Sequence, residues 1–153
     1  MLEKILKGII RNLTPWMEQD KKIYKLYKKS NKWIKRGSTY LAYYYSYKIY
    51  KKYGCIISPK AQIGQSLKLP HPIGIVIGEG VKIGDNVVIY QNVTIGRKNM
   101  DVAEYPIIGN NVIIYCNSVI IGNIIVGDNS TIGCNTVVLK SVDKNSTCTG
   151  VVK

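Results

Sequence analysis

A six-residue repeat fills most of the chain after residue 54 and constrains its fold more than any other feature. Apart from two interruptions, every sixth residue there is Ile, Leu or Val. These lead positions are Ile57, Ile63, Leu69, Ile77, Ile83, Ile89, Ile95, Ile108, Ile114, Ile120, Val126, Ile132 and Val138. A period of six fits neither a 3.6-residue helix nor an alternating strand. It predicts short strands joined by repeated corners around an aliphatic interior, which is a β-helix.

The fourth position of the repeat indicates where the corners lie. It is Asn at Asn86, Asn92, Asn111, Asn117, Asn123, Asn129 and Asn135. Asn adopts a positive φ more readily than most residues, which suits a tight corner. Recurring Asn and Gly also argue against one long amphipathic helix. We therefore predict a mainly β fold of about four turns, preceded by a short α-helical N-terminal segment.

The repeat resembles a known family. The hexads, with "HPIGIVIGEG", "YQNVTIG" and the closing "CTGVVK", are similar to those of bacterial serine acetyltransferases and their relatives in surface-polysaccharide clusters. The resemblance covers about residues 54–153. It implies a left-handed parallel β-helix with three hexads per turn. It also implies a homotrimer, or a higher multiple, that binds acetyl-CoA in a groove between neighbouring subunits.

The composition changes near residue 54. Residues 1–53 hold 14 of the 22 Lys and Arg residues but only three of the nine Asp and Glu residues. Nine of the 12 tyrosines also lie there. We therefore divide the chain into a basic, Tyr-rich helical segment, 1–54, and a repeat domain, 55–153. A charge block of this kind can meet phosphates, although a general residue bias towards Lys and Tyr would produce it too.

The basic segment is predicted to form two helices parted by Gly37 and Ser38, the second running from Leu41 to Tyr53. One interpretation is a cap that covers the first turn of the coil and helps oligomerisation. A second adds a peripheral contact with an anionic membrane, because Tyr and Trp between lysines suit a bilayer interface. A third is nucleic-acid binding, but no such motif is present, so nucleic acid is not expected as a partner.

Targeting signals and cysteine usage indicate where in the cell the protein is expected. No segment is apolar enough over about 18 residues to span a membrane, and the apolar core at the start of the chain is too short for a secretory signal. The four cysteines, Cys55, Cys116, Cys134 and Cys148, form no CxxC pair. We therefore expect free thiols in a reducing cytoplasm, at the inner membrane face if the membrane interpretation holds.

The two interruptions predict where function lies. We assign Ile75 and Val76 as two extra residues, and a longer loop must leave the coil between Ile95 and Ile108, because loops on a rigid scaffold commonly carry function. With three hexads per turn, the third positions of one wall stack along one corner with outward side chains. These positions are His71, Gln91, Cys116 and Cys134.

His71 is the only histidine in the chain. The repeat alone leaves open a structural histidine held by a neighbouring carbonyl. The resemblance implies a catalytic one, because the family's histidine lies in the same H-x-x-G-I-V-I-G context. A neutral imidazole can accept the hydroxyl proton as acetyl moves directly from the thioester, with no metal. A γ-class carbonic anhydrase shares the β-helix but needs several histidines on zinc, which one histidine does not supply.

Three departures from the family concern the acceptor. Two aspartates that flank or pair with the family's histidine are here Pro70 and Ile56, and its carboxylate-gripping Arg-His-Pro is here 104–106, Glu-Tyr-Pro. We therefore predict a sugar hydroxyl of a surface-polysaccharide precursor, small or lipid-linked, held by Asp101, Glu104 and Tyr105. The alternative is serine O-acetylation for cysteine biosynthesis. An alternative of another class is a non-catalytic β-helix scaffold.

The resemblance also implies which residues meet the coenzyme. Cys116 and Cys134 stand where the family has small residues against the pantetheine arm, and Gln91 and Arg97 are predicted to flank the same groove. Lys153 is predicted to meet a phosphate of coenzyme A. A cysteine there could serve as a nucleophile. We predict instead that both cysteines are wall residues, and we expect no metal site.

Overall fold

The structure is a computed structural model that describes residues 18–99 and 101–153. The beginning of the predicted helical segment, residues 1–17, lies outside the described residues. Two helices come first, α1 (Gln19–Lys35) and α2 (Thr39–Tyr53). The strands are β1 (Ile56–Ile57), β2 (Gln62–Ile63), β3 (Val76–Ile77), β4 (Lys82–Ile83), β5 (Val88–Ile89), β6 (Thr94–Gly96), β7 (Ile107–Ile108), β8 (Ile113–Ile114), β9 (Val119–Ile121), β10 (Ile125–Val126), β11 (Thr131–Ile132), β12 (Val137–Val138), β13 (Thr147–Cys148) and β14 (Val151–Val152).

The strands form three parallel sheets, which we call walls. The first wall has the order β1-β3-β6-β9-β12-β14, the second β2-β4-β7-β10 and the third β5-β8-β11-β13. The chain visits the three walls in turn, so each turn of the coil uses three hexads. This confirms the predicted left-handed parallel β-helix. The coil continues past Val138, the last lead residue, through β13 and β14.

The lead residues form the interior. Ile57, Ile77, Ile95 and Ile120 lie in register along the first wall and are at most 1% exposed. A few fifth-position residues are buried and polar. Of these, the Ser118 hydroxyl lies 2.8 Å from the carbonyl oxygens of both Tyr115 and Gly133. These contacts satisfy the hydroxyl, so it does not disturb the aliphatic column.

Asparagines make the corners, as predicted. Positive φ angles of 55–60° occur at Asn86, Asn92, Asn111, Asn117, Asn129 and Asn135. Asn123 differs, because Gly122 takes the positive φ at that corner. Between the second and third walls the Asn amides form a ladder, with the step from Asn111 to Asn129 at 3.0 Å. Each corner is thereby tied to the one in the next turn.

The two helices cover the first turn of the coil. The Tyr27 hydroxyl donates to the Ala61 carbonyl at 2.7 Å and accepts from the Ile63 N–H at 3.1 Å. Burial raises the pKa of Tyr27 to about 12, so the hydroxyl keeps its proton and its role as donor. Ser46 of α2 donates to the Ile57 carbonyl at 2.6 Å. Strand edges need such partners, so the helices act as a cap.

The helical segment and the coil share one hydrophobic core, which contains Ile23 and Ile49 as well as the lead residues. The division into two domains at residue 54 therefore stays a prediction. Helix α2 begins at Thr39, two residues before the predicted start at Leu41. Among the described residues, no helix combines the length and the apolar character that crossing a bilayer requires.

Candidate active site

His71 lies at the corner between the third and first walls, which we call the histidine corner. Its side chain is exposed, and its carbonyl accepts the N–H of Ile73 at 2.9 Å. The prediction that His71 stacks in register with Gln91 is wrong. The N–H of Asn92 bonds to the Ile73 carbonyl, just as that of Asn117 bonds to the Gln91 carbonyl. Ile73 therefore occupies the position that we assigned to His71.

The same register corrects the placement of the two extra residues. Gly74 takes the positive φ of 67° that Asn92 takes one turn later, and Ile75 is fully buried in the wall. Ile75 and Val76 are thus regular members of the repeat, and the extra residues lie between Leu69 and Ile73. Pro70 and Pro72 enclose His71 in this short bulge. His71 therefore lies outside the register of the column formed by Ile73, Gln91, Cys116 and Cys134.

The sequence analysis missed two stacked tyrosines, one of which lies beside His71. The imidazole is 6.2 Å from the Tyr90 ring between centroids, and Tyr90 stacks on Tyr115 at 5.1 Å with an angle of 19° between the ring planes. Both tyrosines directly follow a lead residue of the third wall. That spacing was visible in the repeat, but it gained meaning only once the bulge placed His71 next to them. Among the residues that the structure describes, Tyr90 is the aromatic residue that packs against the imidazole of His71.

The other residues of the histidine corner differ in exposure. Cys134 is exposed, Cys116 is half-buried, and both are free thiols. Their backbones are in register, since the N–H of Asn135 bonds to the Cys116 carbonyl at 3.0 Å. The side-chain oxygen of Gln91 is buried without a hydrogen-bond partner among the described residues. Such an atom is costly to leave unpaired and marks a place where a donor group would bind.

The long loop leaves the coil at another corner, between the first and second walls, which we call the loop corner. Tyr105 folds back onto the coil there, with its ring over Gly80 and its hydroxyl 3.3 Å from a Glu79 oxygen. Lys60 reaches the other Glu79 oxygen at 3.0 Å. The hydrogen bond from Lys60, more than any other contact, lowers the pKa of Glu79. The contacts among Lys60, Glu79 and Tyr105 are solvent-exposed. They therefore order the loop corner more than they stabilise the fold.

An open cleft of about 630 Å³ lies at the loop corner. Glu104 and Tyr105 line it, together with Lys60, Lys82 and other residues of the coil. Asp101, the third predicted acceptor residue, is exposed and does not line the cleft. The cleft therefore presents hydroxyl, carboxylate and ammonium groups, a set that can bind a polar acceptor.

The two corners lie on opposite edges of the first wall. Within one chain, His71 and Gln91 are thus separated from Arg97 and Tyr105 by the width of that wall. Arg97 follows β6 and lies at the loop corner, so Gln91 and Arg97 could flank one groove only between two subunits, and that call stays a prediction. Lys153 is exposed directly after β14 at the end of the first wall.

A single methyl group at Gly80 tests how the loop is held. An added Cβ would lie 2.1 Å from the Tyr105 ring, so Gly80→Ala is expected to displace Tyr105 and to break its contact with Glu79. The N–H of Lys82 bonds to the Pro106 carbonyl at the end of the loop at 3.2 Å, and its hydrogen exchange should speed up by about tenfold or more. Gly96→Ala is the matched control, because a Cβ there meets nothing within 4 Å. Equal exchange in both variants would mean that Tyr105 does not anchor the loop.

Metal ligands are sparse. Over residues 18–99 and 101–153, no group of three or more His, Cys, Asp or Glu side chains is placed to hold a metal ion. Burial raises the pKa of the thiols of Cys55 and Cys148, which keeps both in the neutral form.

Several proteins that are similar to this chain in sequence and fold are named serine acetyltransferases. The family described as bacterial transferase hexapeptide (six repeats) matches residues 105–140. A serine acetyltransferase of Staphylococcus xylosus is 40% identical over 99 residues, 64% of this chain and 46% of that protein. The Brucella abortus serine acetyltransferase in complex with coenzyme A superposes with a TM-score of 0.81 at 34% identity, covering 83% of this chain and 51% of that one.

A plant structure extends the comparison to the acceptor. Soybean serine acetyltransferase complexed with serine has a TM-score of 0.81 at 29% identity, covering 84% of this chain and 53% of that one. This chain thus spans about half the length of the relatives that it matches. The coil of this chain is thus similar to the hexapeptide-repeat part of serine acetyltransferases.

Proposed function

We propose that this serine acetyltransferase-like hexapeptide-repeat protein is an O-acetyltransferase that uses acetyl-CoA. The observation that carries the proposal is the position of His71. It is the only histidine of the chain, and it is exposed in a bulge of a coil whose structural relatives include complexes with coenzyme A and with serine. A purely structural histidine would not need an exposed position in a bulge outside the repeat.

In the proposed reaction the neutral imidazole of His71 removes the proton of the acceptor hydroxyl. The oxygen attacks the thioester carbonyl, the carbon–sulfur bond breaks, and the leaving sulfur takes up the proton from His71, which returns the imidazole to its neutral form. A backbone N–H is expected to stabilise the negative charge on the carbonyl oxygen. Since no covalent enzyme intermediate is needed, the remaining task of the protein is to align two substrates. Tyr90 packs against the imidazole of His71 and thereby helps to orient it towards the substrates.

For the coenzyme we propose the column next to His71. Cys116 and Cys134 offer small side chains along which the pantetheine arm can lie, and the unpaired Gln91 oxygen can accept an amide N–H of that arm. The pantetheine arm is an extended chain with two amides, so it needs a narrow surface with a hydrogen-bond acceptor, which this column offers. The roles of Arg97 and Lys153 towards the coenzyme stay predictions.

Assembly as a trimer would explain why the two corners lie apart. The outward side chains of the first wall are mostly aliphatic, with Ile56 52% and Val151 60% exposed in the single chain. Such a surface is typical of an interface. We propose that a groove between two subunits brings the histidine corner of one chain next to the loop corner of its neighbour. Light scattering of the full chain should then show a trimer.

For the acceptor, the comparisons favour L-serine over our predicted sugar hydroxyl, because the matched proteins are named serine acetyltransferases. The sugar stays a second candidate because of one observation. Glu104 lines the cleft where the resemblance places a carboxylate-gripping Arg, and a carboxylate would repel the carboxylate of serine. A neutral sugar meets no such repulsion.

Thiol release from acetyl-CoA tests the proposal. The full chain is incubated with acetyl-CoA and, separately, with L-serine and with nucleotide- or lipid-linked sugars. Rapid turnover with millimolar serine would reject the sugar acceptor. Turnover with a sugar and none with serine would support it. A chain that neither releases thiol nor binds coenzyme A in calorimetry would be the non-catalytic scaffold instead.

A further inference from the structure

A second cleft, of about 440 Å³, is lined only by residues of the two helices. Three lysines of α1 and three of α2 line it, with Leu26 and Tyr53 as the apolar residues between them. The six are Lys22, Lys25, Lys29, Lys48, Lys51 and Lys52. We call it the lysine cleft. All its lining residues belong to the helical segment, so it is separate from both corners of the proposed acetyl-transfer site.

The charge of the lysine cleft is uncompensated within the described helical segment. Its acidic residues are Glu18 and Asp20, and neither lines the cleft. Glu18 lies instead 4.0 Å from Lys21, which is outside the cleft. Six ammonium groups around one cleft repel one another, and an anion between them would replace this repulsion with attraction.

A row of exposed tyrosines continues from the cleft along α2. These side chains are 44–82% exposed, and they are Tyr40, Tyr43, Tyr44, Tyr47 and Tyr50. Lys48 of the cleft lies 4.4 Å from the centre of the Tyr44 ring, so the row and the cleft share a border. Exposed aromatic rows of this size mark contact surfaces, and tyrosine favours the zone between water and acyl chains.

We propose that the lysine cleft binds the phosphate head groups of anionic phospholipids, with the tyrosine row lying in the membrane interface. The six lysines select a negative surface, while the apolar floor of Leu26 and Tyr53 suits the glycerol and upper acyl region of a lipid. A twofold contact between the clefts of two copies does not fit, because lysines would face lysines. The proposal does not depend on acetyl transfer.

The test compares two triple variants of the full chain with the same loss of charge. Lys22, Lys25 and Lys29 are changed to Gln in one, and Lys21, Lys28 and Lys32 in the other. All six lysines lie on α1, but only the first three line the cleft. Binding is measured by cosedimentation with vesicles of phosphatidylcholine alone and with added phosphatidylserine. Circular dichroism checks that both variants are folded.

We expect the wild-type chain to bind only the phosphatidylserine vesicles, and salt to weaken the binding. The cleft variant should lose at least about tenfold in affinity, and the control variant less than about threefold. Equal losses in the two variants would reject a defined cleft in favour of diffuse attraction. Binding to phosphatidylcholine vesicles as strong as to phosphatidylserine vesicles would reject anionic phospholipid as the ligand of the cleft. Stronger binding to an oligonucleotide at the same phosphate concentration would also reject it.

Discussion

Replacing His71 with alanine is expected to lower kcat for acetyl transfer by a factor on the order of 10²–10⁴, with little change in the affinity for coenzyme A. The reason is that the imidazole is the proposed proton acceptor, and the chain contains no second histidine to replace it. The side chain is exposed, so its removal leaves no cavity in the core. The measurement is thiol release at saturating substrates, with coenzyme binding followed by calorimetry.

Lys68→Ala is the control for this experiment, because Lys68 is an exposed neighbour on the same wall and has no proposed role. It should keep nearly full activity. A His71→Ala variant that does the same would remove His71 from the mechanism. Loss of coenzyme binding together with activity would assign His71 to binding rather than to proton transfer.

Replacing Ile120 with alanine is expected to lower the free energy of unfolding by about 2–5 kcal/mol. Ile120 is fully buried in the first wall, in register with Ile95 in the turn before and Val138 in the turn after. The change removes methyl groups and leaves a cavity that rigid, hydrogen-bonded neighbours cannot close. Urea unfolding at one fixed protein concentration measures the loss, since assembly would otherwise shift the midpoint.

The matched control is Ile125→Ala, which removes the same atoms from a side chain that is 53% exposed. It should cost less than about 1 kcal/mol. Similar losses at the two positions would mean that Ile125 is covered in the assembly. A small loss of unfolding free energy for Ile120→Ala would contradict a closely packed interior of the coil.

The wall positions could be predicted from the sequence because burial there repeats with the period of the coil. Each lead residue faces the interior, so aliphatic residues such as Ile95 and Ile120 recur at a fixed spacing. Asn at the corners followed from its tolerance of positive φ. The helical segment was also visible, although its second helix begins two residues before the prediction, since helix ends depend on local contacts rather than on pattern.

The site was harder to predict, because an interruption of the repeat does not say where its extra residues lie. Ile77 lies eight positions after Leu69 instead of six, and spacing alone cannot decide which two residues are added. The positive φ at Gly74 decides it, and thereby moves His71 out of the column and next to Tyr90. Arg97 is likewise separated from Gln91 because the long loop leaves the coil at the loop corner. That corner can be identified only once the strands are assigned to the three walls.

The bulge at Pro70–Pro72 and the loop before Pro106 share a property that bears on how such proteins diverge. Both lengthen a corner, and in both cases the next lead residue returns to its place in the wall. Insertions and deletions at corners therefore change which chemical groups reach the surface without shifting the buried register. Selection can then alter the substrate and the stability of this coil through separate sets of positions, and new specificities can arise without passing through unfolded intermediates.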